Sequence, residues 1–117
     1  MNHFKVSTIL ALLGVVLGAF GAHGLEDKLA ASGLSKTWDT AAFYHLVHAV
    51  ALFALSLSPL GKQMKWPGNL FIIGILIFSG SLYTLCLTEI KVLGAITPIG
   101  GLSFIAAWGM LAFVKQK

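Results

Sequence analysis

The chain has 117 residues, of which 57% are hydrophobic and 10% charged, and it carries a formal net charge of +4. So little charge cannot cover the surface of a water-soluble domain, which argues against a soluble helical bundle. The positive balance comes from eight lysines scattered between apolar runs, a pattern that marks membrane topology rather than a nucleic-acid patch.

Four apolar runs of about 20 residues, each the length needed to cross ~30 Å of hydrocarbon, predict an all-α, four-helix transmembrane bundle with antiparallel neighbours and short loops. The expectation is one integral membrane domain over 1–117. The first span is read over 6–25, where Gly14, Gly18 and Ala22 recur at four-residue spacing and form a flat stripe for close helix approach. Residues 26–37 make the longest connection. A turn or two of interfacial helix around Glu26-Asp27-Lys28-Leu29 ends there at Gly33, and Ser35 or Thr37 caps the next helix. The second span, 38–60, places His45 and His48 on one face, ~10 and ~15 Å below its outer end. Residues 61–68 hold turn formers and two cations and read as a loop. The third span, 69–88, carries Ser79, Ser81, Tyr83 and Thr84, and Glu89-Ile90-Lys91 connects it tightly to the fourth, 92–114. There Gly100 and Gly101 offer a second small-residue surface, and Pro98 predicts a kink. Trp38, Trp66 and Trp108 fall near span ends, as an aromatic belt would.

With four spans, the N-terminus, residues 61–68 and the C-terminus share one side. That side holds Lys5, Lys62, Lys65, Lys115 and Lys117 without a carboxylate, whereas the other holds Lys28, Lys36 and Lys91 with Glu26, Asp27, Asp39 and Glu89. The lysine excess predicts both termini in the cytoplasm.

His23, Tyr44, His45, His48, Ser81, Tyr83 and Thr97 gather in the half of the bundle away from the termini, which makes them candidate ligand-binding residues. The competing reading has each histidine neutral and bonded to a hydroxyl on a neighbouring helix, fixing register. His3 reads as a solvated terminal residue. Two histidines at i, i+3 lack a third metal ligand, and no carboxylate lies within a span to complete a di-iron site. Ser79 and Ser81 lack a Ser-His-Asp arrangement. No catalytic residue, metal, cofactor or nucleic-acid partner is therefore assigned. The expected partners are membrane lipids, a second copy or a larger membrane complex, with Gly14, Gly18, Ala22, Gly100 and Gly101 as helix-packing residues. The functional expectation is an accessory or scaffolding subunit acting through helix–helix contacts; the alternative is a small ligand-binding or transport protein using the polar cluster.

Phe20-Gly21-Ala22-His23-Gly24-Leu25, Thr40-Ala41 with Tyr44 and His48-Ala49, Phe78-Ser79-Gly80-Ser81-Leu82-Tyr83, and Thr97-Pro98-Ile99-Gly100-Gly101 stand in order along the chain. Together they resemble the bacterial YgdD/YwdK-type family of small membrane proteins, a domain of unknown function. The resemblance implies a four-helix protein of the bacterial inner membrane and brings no activity, catalytic residue or cofactor. Ala106-Ala107-Trp108 departs from the family pattern, which has Gly directly before Trp.

Overall fold

A computed structural model describes residues 2–115; Lys117, counted above in the charge balance, lies outside them. In chain order the elements are α1 (His3–Ala22), α2 (Glu26–Ser32), α3 (Ser35–Ser56), a 3-10 segment (Gly61–Met64), α4 (Lys65–Gly74), a π turn (Ile75–Ser79), α5 (Gly80–Thr88), a second 3-10 segment (Lys91–Ala95) and α6 (Thr97–Ala112). They combine into four spans, His3–Ala22, Ser35–Ser56, Gly61–Thr88 and Lys91–Ala112, each long and apolar enough to cross a membrane. All-helical architecture follows from the solvent, because backbone amides in hydrocarbon must be satisfied within their own helix.

Large apolar side chains project outward on every span: Leu12, Val15, Phe43, Val50, Leu76, Ile99, Leu102 and Ile105 are all exposed. In water such a surface would aggregate; in lipid it is solvated. Leu52, Phe71, Ile75, Phe104 and Ala107 form the main core. A smaller cluster of Leu29, Trp38 and Cys86, packed with Leu17, Leu34 and Tyr83, closes the end away from the termini.

The predicted boundaries shift at several points. Residues 61–68 are not a loop but the helical entrance to the third span, and the turn lies at 57–60, around Pro59. Neither Ser35 nor Thr37 caps α3: Leu34 occupies the cap position without a side-chain bond, and Ser35 is already helical. Helix α2 does form, and Gly33 ends it in the left-handed region at φ 73°, a conformation that costs glycine nothing. Glu89 ends α5 the same way at φ 60°, which is strained for a residue with a Cβ. Pro98 does not kink a continuous helix. It sits in the first turn of α6, where its missing N–H has no helical partner to lose. The irregularity falls instead on the 3-10 segment before it.

Candidate functional site

Because α3 begins at Ser35, His45 lies ~15 Å and His48 ~20 Å along it, deeper than the sequence count placed them. Both rings are buried and both use two nitrogens. His45 Nε2 donates to the Leu10 carbonyl of α1 at 2.8 Å, so its Nδ1 accepts from the Tyr83 hydroxyl of α5 at 2.9 Å. A single neutral imidazole thus joins three helices. His48 takes the opposite tautomer: Nδ1 donates to the Tyr44 carbonyl at 2.8 Å, and Nε2 accepts the Trp108 indole N–H at 3.1 Å. Its ring stacks on Phe104 with centroids 3.7 Å apart. Ala107 is fully buried, so the alanine before Trp108 is accommodated within the core.

The remaining candidates separate. Ser81 and Thr97 share a 2.6 Å hydrogen bond between α5 and α6. Tyr44 packs on Phe78 and Phe104; with Val47, His48, Gly101, Ile105 and Trp108 they line a lateral groove of about 400 Å³ between α3 and α6. His23 stays exposed in the turn after α1, beside Phe20 and Gly24. Five of the seven predicted residues therefore fall into separate hydrogen-bonded units, while the exposed His23 and Tyr44 make no side-chain hydrogen bond among the described residues. Every buried side-chain nitrogen and oxygen among the described residues has a partner.

A glycine stands four residues after three of the backbone carbonyls that accept side-chain donors, and at Gly21 its missing side chain is what lets the bond form. A side chain leans toward the helix N-terminus, so residue i+4 covers the carbonyl of residue i. Leu10, whose carbonyl receives His45, is followed four residues on by Gly14, where an added Cβ would stand 3.5 Å from the His45 ring and 3.1 Å from Leu46. Leu17 accepts the Trp38 indole N–H at 2.9 Å and is followed by Gly21, where a Cβ would collide with that indole. Leu70 accepts the Ser103 hydroxyl at 2.7 Å and is followed by Gly74, where a Cβ would strike Phe104. Ser79 reaches the Ala41 carbonyl at 2.7 Å without this device.

Among the predicted packing residues, Gly14 thus faces α3 and Gly100 lies against the Phe78 backbone in the π turn, with no room for a side chain. Gly101 has only the Phe78 ring nearby, at 3.7 Å, Gly18 has nothing within 4 Å, and Ala22 is exposed. Trp38 corrects the aromatic-belt reading: it is 1% exposed and acts as a tie between helices. The sequence signal for it was the seven-residue step from Trp38 to His45, which matches the step from Leu17 back to Leu10 on the antiparallel α1.

Comparison with known proteins agrees with this architecture. The chain is 48% identical over 109 residues to a UPF0382 membrane protein of Staphylococcus saprophyticus, covering 92% of this chain and 90% of that one. It is 46% identical to the UPF0382 membrane protein YwdK of Bacillus subtilis over 117 residues, covering 96% and 94% of the two chains. A UPF0382 membrane protein of the fission yeast Schizosaccharomyces pombe is 39% identical over 116 residues, covering 95% and 98%. No solved structure gives a significant match. The family described as protein of unknown function (DUF423) matches residues 17–101, and this four-span membrane protein belongs to it.

Proposed function

We propose that the protein is an accessory or scaffolding subunit that acts through its lipid-facing helix surfaces. The observation that carries this reading is the internal pairing of every buried polar side chain among the described residues. His45, His48, Ser81, Tyr83 and Thr97 are each hydrogen-bonded within the bundle, His48 to its own helix as well as to Trp108, which favours a structural role over solute recognition. What remains available is surface. The first span exposes Val15 and Ala22 on the same side as the open Gly18, and a second helix can approach a glycine closely in lipid, where packing drives association. Cysteine or photo-crosslinking from this face in native membranes should capture a second copy or a larger membrane protein. Recovery of the monomer alone, from every position on the face, would overturn the proposal.

The same reading places the protein in the bacterial inner membrane with both termini in the cytoplasm. Support comes from the lysine-rich end, which among the described residues carries Lys5, Lys62, Lys65 and Lys115 and no Asp or Glu. An impermeant thiol reagent applied to intact cells should label Lys28→Cys and spare Lys62→Cys; the reverse pattern would invert the topology.

A further inference from the structure

The end of the bundle that carries the start of α1 and the entrance to the third span holds a cavity of about 640 Å³ lined by His3, Gly61, Lys62, Met64, Lys65 and Asn69. The pocket opens to the surface, with Lys62 and Lys65 exposed and one wall fixed by His3. His3 lies over Gly68, where an added Cβ would come within 2.8 Å of its ring, and its Nε2 donates to Asn69 Oδ1 at 2.9 Å. His3 is therefore a wall residue and not the solvated terminus that the sequence alone indicates. Occupying Asn69 Oδ1 leaves the amide nitrogen as a donor.

The charge at this end is one-sided. Glu26, Asp27, Asp39 and Glu89 all belong to the opposite end of the bundle, and the ion pair formed among the described residues is Lys28–Glu89, also at that end. Among the described residues, Lys62 and Lys65 thus line the cavity with no carboxylate side chain at this end to pair with them. The third span enters here by its N-terminus, adding the positive end of its dipole. Trp66, 58% exposed, stands beside Lys65 at a span end, the level of lipid headgroups.

We propose that this cavity binds the phosphate headgroup of an anionic phospholipid. Two ammonium groups and an amide donor match phosphate oxygens, and Met64 supplies an apolar wall toward the glycerol. A basic pocket between spans at the membrane surface is the setting in which lipid phosphates are held.

The test uses the full chain in neutral detergent, titrated with phosphatidylglycerol, phosphatidylcholine or inorganic phosphate. Bound lipid is counted by native mass spectrometry, and thermal protection is followed in parallel. Phosphatidylglycerol should bind and protect where phosphatidylcholine does not. Its apparent affinity should fall on the order of 30-fold in Lys62→Gln/Lys65→Gln, return in Lys62→Arg/Lys65→Arg, and hold in Lys28→Gln/Lys36→Gln at the opposite end. Equal binding of the two lipids, or equal losses from the two Gln pairs, would overturn the site. Protection by inorganic phosphate at the same concentrations as phosphatidylglycerol would overturn its assignment to a lipid.

Discussion

In its most apolar window the first span buries 11% of its residues and the third buries 39%, yet both are fixed in the bundle. The third span sits at the centre, where Phe71, Gly74, Ile75, Ser79 and Leu82 are buried against α3 and α6 and the π turn presses the Phe78 backbone onto Gly100. The first span touches chiefly α3 and is attached by its backbone: the carbonyls of Leu10 and Leu17 receive N–H groups from His45 and Trp38. The difference teaches how a helix can belong to a membrane bundle without being covered by it. Lipid solvates the exposed side chains at no hydrophobic cost, so a few directional bonds decide where such a helix sits.

The comparison can be broken most forcefully at the centre. Gly100→Ala places a methyl group against backbone that cannot rotate away, and should cost about 3 kcal/mol, the upper end of ordinary overpacking. Gly109→Ala in the same helix meets open space and should be neutral or stabilising by up to ~1 kcal/mol. Thermal unfolding in detergent reads both, and equal effects would refute the packing contrast.

At the periphery the bonds matter more than the volume. Trp38→Phe keeps an aromatic ring and removes the N–H to Leu17, a bond made to the first span alone, so it should cost about 1 kcal/mol. The first span should then become more accessible to protease or thiol reagents while the third does not. If both spans loosen together, the first is not held separately.

Gly18→Ala sharpens the same contrast. With nothing within 4 Å, it should leave stability in detergent within ~0.5 kcal/mol and reduce crosslinking in membranes if this face meets a partner. The smallest effect is expected from Lys28→Gln. The Lys28–Glu89 pair spans 3.6 Å between side chains 41% and 55% exposed, and its loss should change stability by no more than ~0.5 kcal/mol.

Much of the candidate site was legible as a set of residues and little of it as an arrangement. His45 and His48 stand out in any apolar run, but their opposite tautomers depend on which helix supplies each partner. Gly14 and Gly18 read as a stripe because four-residue spacing is the familiar signal. In the structure Gly14 packs closely on Leu46 and Gly21 leaves room for the Trp38 indole to reach the Leu17 carbonyl, while Gly18 meets nothing. The π turn at Ile75–Ser79 has no apolar periodicity to announce it. It arises where a wide turn brings Ser79 to the Ala41 carbonyl and Phe78 to Gly100.

The sequence by itself determined that this chain is helical, crosses a bilayer four times and carries its basic excess at one end. Backbone in hydrocarbon must pair within a helix or a closed barrel, apolar runs of about 20 residues fit the helix, and length and charge can be counted residue by residue. Only the tertiary structure decided that Gly21 opens a carbonyl, that Trp38 is a tie and not a belt, and that His45 bonds Tyr83, His48 bonds Trp108 and Ser81 bonds Thr97. Those outcomes depend on interhelical distances of a few ångströms, and composition and periodicity along one strand of text do not contain them.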